Sequence, residues 1–282
     1  MIQATPVTDL GIFLVSVGAG VIGSLAGVGG GILVIPALTT IFGVDIRLAV
    51  GASIVSVIAT SSGAASAYVR DRITDMRIGM FLELATTTGA VCGAIVAAYV
   101  TASFLFLLLG LVVLLSAAMQ VARLREEVPA DEPSRLASAL KLSASYPDRR
   151  LGREVPYSAR RIPLGFAMMW FAGVVSGLLG IGSGVLKVLA MDGAMRLPMK
   201  VSSATSNFMI GVTAAASAGI YLSRGDVDPR IAAPVALGVL LGAITGARLL
   251  NRVSNRVVRM IFLPVLVAVG LEMIGRAAGL SV

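Results

Sequence analysis

The chain has no histidine and a single cysteine, Cys92. Without histidine it lacks the commonest metal ligand and the usual proton carrier near neutral pH. One cysteine excludes an intrachain disulfide. Charge is scarce as well: 13% of the 282 residues are charged, against about 25% in average soluble chains. No paired carboxylates, nucleophile–histidine pair or Walker sequence appears, so enzyme chemistry and ATP hydrolysis lack support and no cofactor is expected.

What remains is apolar. Hydrophobic residues make up 57% of the chain and its mean hydropathy is +0.93. Most of the apolar stretches are apolar all round rather than on one helical face, which excludes a single large soluble core and points to an all-α polytopic membrane protein. The formal charge of +8 sits in loops without interleaved aromatics, as in cytoplasmic loops rather than nucleic-acid surfaces. The first six residues carry no Lys or Arg, so the first apolar segment is expected to stay in the mature protein.

An apolar run over 10–42 would be about 50 Å long as one helix, against a hydrocarbon core of about 30 Å. It is predicted to break at Gly27-Val28-Gly29-Gly30-Gly31, with Pro36 discouraging a helix across the break. Segments 48–69, 78–99 and 104–121 are each long enough to span. A polar stretch over 122–161 follows, with nine Lys or Arg, six Asp or Glu and four prolines. It reads as a solvated connector, with a short surface helix over 134–143 as the alternative. The second half repeats the plan: a glycine-interrupted segment over 163–195, then spans over 202–222, 231–250 and 257–274.

A shift of 153 positions without a gap aligns Gly27 with Gly180, Gly29 with Gly182, Gly31 with Gly184, Ser53 with Ser206, Tyr68 with Tyr221, Asp75 with Asp228, Gly89 with Gly242 and Gly93 with Gly246. This is an internal duplication, a form common among transporters. Three units follow: 1–121 as a first membrane repeat, 122–161 as a cytoplasmic linker and 162–282 as a second repeat.

Loop charges bear on orientation, because cytoplasmic loops hold the excess of Lys and Arg. If each interrupted segment crosses once, the repeats are parallel and the charges outside the linker divide 6 against 7. If each turns back as a hairpin, the repeats are inverted and the division is 9 against 4, or 18 against 4 with the linker. The expected fold is therefore two inverted repeats, each a glycine-broken helical hairpin plus three transmembrane helices. The linker is then cytoplasmic and both termini lie outside.

A chain break inside a membrane leaves backbone groups that must face protein, water or ligand. Short helices following the breaks turn free N–H groups toward the cavity, an arrangement suited to an anion. The substrate-binding candidates are Gly27, Gly29, Gly30 and Gly31 with Ser53, and Gly180, Gly182, Ser183 and Gly184 with Lys187, Thr205, Ser206 and Asn207. Ser53, Ser56 and Thr60 follow helical spacing. Hydroxyls and amides bond an oxyanion without adding a competing negative charge. Lys187, unmatched at Val34, would add positive charge. Glu83 is the proton-coupling candidate, since ionisable groups inside apolar segments are functional hypotheses by default. Asp192 and Glu272 read as lying near segment ends. The pairs Gly89/Gly93 and Gly242/Gly246 read as close helix contacts.

The sequence resembles the TauE/SafE, or sulfite exporter, family of membrane permeases. The resemblance rests on Gly23-Ser24-Leu25-Ala26-Gly27-Val28-Gly29-Gly30-Gly31 followed by Pro36, and on Ala49-Val50-Gly51-Ala52-Ser53. In the second half it rests on Gly177-Leu178-Leu179-Gly180-Ile181-Gly182-Ser183-Gly184 and Ser203-Ala204-Thr205-Ser206-Asn207. It implies secondary transport of sulfite, sulfonates or related organic anions across the bacterial inner membrane. An anion channel and a membrane scaffold or assembly factor stand as alternatives. Expected partners are a small anion, the lipid bilayer, protons by analogy with the class, and a second copy in a homo-oligomer, with no nucleic acid. Ser183 stands where the first half has Gly30, and Leu189 where it has Pro36, so the two breaks are not equivalent.

Overall fold

A computed structural model of the chain describes residues 6–26, 30–70, 73–122, 135–140, 142–148, 153–250 and 255–279. The first half comprises α1 (Pro6–Ala26), α2 (Gly31–Ile41), α3 (Ile46–Arg70), α4 (Met76–Val96) and α5 (Ala102–Ala122). The second comprises α7 (Ile162–Leu179), α8 (Gly184–Val188) running into a π-helical turn (Leu189–Ala194), α9 (Met199–Ser223), α10 (Pro229–Leu250) and α11 (Asn255–Ala277). Between them lie α6 (Arg135–Ala139) and the strands β1 (Ser143–Asp148) and β2 (Arg153–Ser158). Among the described residues, α4, α5, α7 and α10 are long and apolar enough to cross a membrane. Large apolar side chains including Leu10, Leu14, Leu84, Phe171, Leu237 and Leu271 face outward, as the hydrocarbon requires.

Several features matched across the halves serve local structure. Asp75 Oδ1 accepts the N–H groups of Arg77 and Ile78 at 3.0 and 2.9 Å, and Asp228 Oδ1 accepts that of Arg230 at 2.9 Å. Each aspartate thus caps the start of a helix. At Pro36 the helical ladder of α2 loses a donor, and Thr40 Oγ1 donates to the Pro36 carbonyl at 2.7 Å. The matched position in the second half, Leu189, opens the π-turn, whereas α2 continues as α-helix past Pro36.

Both interrupted segments turn back. In the second half the Arg160 N–H donates to the Met195 carbonyl at 2.9 Å, and the Met195 side chain fills the space above Gly165. The end of the return arm therefore lies beside the start of α7. In the first half, a methyl group on Gly11 near the start of α1 would lie 3.2 Å from the Phe42 ring just beyond α2.

The halves exchange partners: α1 packs on α10, α7 on α4, α3 on α9 and α5 on α11. Methyl groups at Gly89 and Gly93 of α4 would strike the carbonyls of Trp170 and Val174 on α7, so these helices run side by side in one direction with backbones nearly touching. Gly238 and Gly242 of α10 meet the carbonyls of Phe13 and Val17 on α1 in the same sense. The central pair is opposed. Gly51 near the start of α3 abuts Asp226 just beyond α9, whereas Ser61 abuts Gly211 within α9. The pair α5 and α11 is opposed too, Gly110 meeting Ile274 and Leu114 meeting Gly270.

The stretch read as a solvated connector is, over its described part, a docked element. Strands β1 and β2 form an antiparallel hairpin with Ser143 opposite Ser158 and Asp148 opposite Arg153. Ala137, Leu142, Tyr146, Tyr157 and Ala159 are buried in one cluster with Ile78, Leu82, Met195, Leu197 and Val201 of the helical body. Tyr157 donates its hydroxyl to Asp75 Oδ2 at 2.8 Å. Burial first, and then the Asp75 charge and hydrogen bond, raise the phenol well above its ordinary titration range. The polar composition misled because two tyrosines, with Ala137, Leu142 and Ala159 flanking them, suffice to anchor the hairpin, while Arg153 and Glu154 face water.

Candidate functional site

The second break is a left-handed turn. Gly180 and Gly182 have φ of +62° and +74°, and Ser183 adopts +45°, a conformation that costs an L-residue roughly 1–2 kcal/mol. Ile181 of this turn lies against the first break, where a methyl group on Gly31 would sit 3.8 Å from the Ile181 Cα and 2.8 Å from Ser53 Oγ. The two breaks therefore meet inside the protein.

The serines matched across the repeat fasten them. Ser206 Oγ donates to the Gly184 carbonyl at 3.1 Å, and Ser53 Oγ lies 3.3 Å from the Gly31 carbonyl. These two contacts are the same contact shifted by the repeat. Ser53 also reaches the Gly180 carbonyl at 3.0 Å, so its single proton is shared between the two breaks. Both serines are buried, Ser53 completely. Among the described residues the N–H groups of Ile181, Gly182 and Ser183 have no backbone acceptor, and Ser183 Oγ is buried without a partner.

Other predicted residues stand apart. Gly27 and Gly29 lie outside the described residues. The Gly30 carbonyl accepts the N–H groups of Leu33 and Val34 at 3.2 and 3.3 Å, starting α2. Thr205 Oγ1 accepts the Asp75 N–H at 3.0 Å near the docked hairpin, and Asn207 Nδ2 donates to the Ser203 carbonyl within α9. Ser56 and Thr60 likewise bond carbonyls of their own helix. Of the trio on α9, Ser206 alone bonds the break.

Lys187 and Glu83, from opposite halves, are brought together. Lys187 is fully buried and donates to Thr213 Oγ1 at 2.6 Å; that oxygen lies 2.7 Å from Glu83 Oε1, which also accepts from Thr87 at 3.0 Å. Thr213 bridges an ammonium and a carboxylate, its proton directed to Glu83 or to the Met209 carbonyl at 2.8 Å. Glu83 Oε2 is buried with no partner. Thr213 was missed in the sequence, although its repeat mate Thr60 was noticed; the match between them was the available signal. The corresponding trio, Val34, Thr60 and Ala236, carries no charge.

Two helical hairpins meeting at broken backbone, with a buried charge relay beside them and helices long and apolar enough to cross a membrane around them, fit a membrane transporter. The family model "Sulfite exporter TauE/SafE" matches residues 12–273, and the chain belongs to this family. It is similar to the probable membrane transporter protein YunE of Bacillus subtilis (strain 168), 26% identical over 263 residues that cover 91% of this chain and 93% of the relative. It is also similar to the probable membrane transporter protein YdhB of the same organism, 29% identical over 228 residues covering 80% and 84%. No solved structure matches significantly.

Proposed function

We propose that the protein is a secondary transporter that carries small anions, of the sulfite and sulfonate class, across the bacterial inner membrane by alternating access. The observation that carries this reading is the meeting of the two breaks, fastened by Ser53 and Ser206 through repeat-matched bonds to Gly31 and Gly184. The N–H groups from Ile181 to Ser183, which have no backbone acceptor among the described residues, and the Lys187 ammonium support this reading. The sulfur-anion class rests on the family's description.

The proposed architecture is two inverted repeats, 1–121 and 162–282. It is supported by the two turned-back segments and by the opposed directions of α3 against α9 and α5 against α11. Placing the linker in the cytoplasm and both termini outside rests on the loop charges. Ser53, Ser206 and Lys187 are buried, so this conformation is closed, and exchange with either side requires the hairpins to move.

Liposome flux tests the reading. Saturable sulfite or sulfonate uptake, trans-stimulated by substrate inside, is expected. Conductance beyond carrier rates would replace the carrier with a channel, and absence of flux with a co-purifying partner would indicate a scaffold. For inversion, Asp45→Cys and Arg196→Cys, both at exposed positions, are placed in a Cys92→Ser background. Labelling from opposite sides is expected; labelling from the same side refutes it.

A further inference from the structure

We propose that the anion and the Glu83 carboxylate compete for the Lys187 ammonium, so that one proton enters Glu83 for each monovalent anion bound. This rests on the anion-transporter reading above and assigns its coupling ion. In the closed structure Lys187 is buried and its charge is balanced across Thr213 by Glu83, from the other half. An ammonium that stays charged inside a membrane protein is costly without a compensating negative charge. A bound anion beside Lys187 supplies that charge, and the carboxylate then becomes a second, uncompensated one.

The geometry gives the proton its place. Glu83 Oε1 is occupied by Thr213 and Thr87, while Oε2 is buried without a partner. Protonation at Oε2 forms one O–H bond as one O–H bond of a hydronium ion breaks, leaving water on the side to which the site opens. Neutral Glu83 releases Lys187 to the anion. No bond is otherwise broken, and the buried charge stays balanced before and after.

The anion's position follows from the direction of the side chain. Long helical side chains lean toward the helix N-terminus, and one turn before Lys187 lies Ser183, whose hydroxyl is buried and unpartnered. The Lys187 N–H bonds the Ser183 carbonyl at 3.1 Å, which ties the two residues into one turn. Other ionisable groups around Glu83 are few. The packed helix α7 has none, α9 has Lys200 and Tyr221 toward its ends, the return arm has Asp192, and α4 has Arg77 in its first turn after the capping Asp75. Tyr221 is engaged with the carbonyls of Gly177 and Leu178. The unmatched residues of the repeat, Lys187 for Val34 and Glu83 for Ala236, are the two that this exchange needs.

The test uses purified full-length protein and methanesulfonate, sulfate and acetate as probes. Methanesulfonate is a strong-acid anion, so any proton taken up on binding goes to the protein. Expected in lightly buffered solution with a pH-indicator dye is uptake of up to one proton per methanesulfonate bound. Affinity should fall as pH rises, by up to tenfold per pH unit, the slope for one linked proton. Glu83→Gln is expected to bind with unchanged or higher affinity at all pH values, and Lys187→Met to lose binding at least tenfold. Binding by wild type without proton uptake overturns the proposal and leaves the transporter reading standing. So does unaltered binding by Lys187→Met. If no probe binds wild type or Glu83→Gln, the anion reading falls and the proposal with it. The wild-type proton count needs no variant, so a failure of Glu83→Gln to fold leaves the test intact.

Discussion

Cutting either end of the Lys187–Thr213–Glu83 relay should destabilise the protein, and cutting both should restore most of the loss. Two hydrogen bonds of 2.6 and 2.7 Å through Thr213 separate the charges, and unit charges about 5 Å apart attract by roughly 3 kcal/mol at an effective dielectric of about 20. Removing one partner of a buried pair costs about 3–5 kcal/mol because the other is left uncompensated, whereas replacing both by neutral groups of similar size is near neutral. Lys187→Met and Glu83→Gln should each therefore lose about 3–5 kcal/mol. At roughly 2–4 °C per kcal/mol for a chain of this order of size, that is an apparent midpoint lower by about 6–20 °C. The double variant should lie within a few degrees of wild type, far above the sum of the two single losses. Trp170 is the one tryptophan and lies on α7, packed against α4, so its fluorescence reports unfolding. All four proteins are heated at pH 8 without anion, in one detergent and at one scan rate, because scanned midpoints depend on rate. Additive losses, with the double variant as unstable as the two singles combined, would refute a shared charge balance.

Gly182→Ala should lose about 2 kcal/mol or more, since φ of +74° disfavours an L-residue and the methyl would lie 2.6 Å from Ile210 Cγ2; a melt in detergent checks this, and a loss under 0.5 kcal/mol would contradict the turn. Ser206→Ala should cost about 0.5–1.5 kcal/mol by removing its bond to the Gly184 carbonyl, and should reduce flux by loosening the second break; wild-type flux would remove Ser206 from the site. Tyr157→Phe keeps the ring but loses the bond to Asp75, worth about 1.5–3 kcal/mol. Because the folded-state phenol is raised, its contribution is fully present below the ordinary tyrosine value of about 10 and is lost as pH rises beyond it. In an alkaline absorbance titration wild type should retain one late-ionising tyrosine that Tyr157→Phe lacks.

The helices were legible because their signals are local and redundant. Apolar length and the break at glycine bear on the same elements, and α3, α4 and α9 begin within a few residues of the apolar segments; that the matched Asp75 and Asp228 cap helices shows only in the structure. The repeat singled out Ser53 and Ser206, whose hydroxyls hold backbone carbonyls rather than standing free. The relay was half legible. Lys187 and Glu83 stood out as charges in apolar segments, but nothing in a linear pattern says that residues 104 positions apart share one threonine. The docked hairpin was hidden for a different reason. Its anchoring depends on a few buried side chains, Tyr146 and Tyr157 above all, within a stretch whose average composition is polar.

The exchange of partners has a consequence for how the chain is made. The glycine face of α1 is covered by α10, so Gly20 leaves the ribosome about 10 to 45 s before Gly242 at about 5–20 residues per second. During that interval the backbone groove of α1 has only lipid or the insertion machinery against it. Ribosome stalling or truncation anywhere before α10 would leave this groove open. Nascent chains arrested between α9 and α10 are thus the species that membrane quality-control proteases should find first.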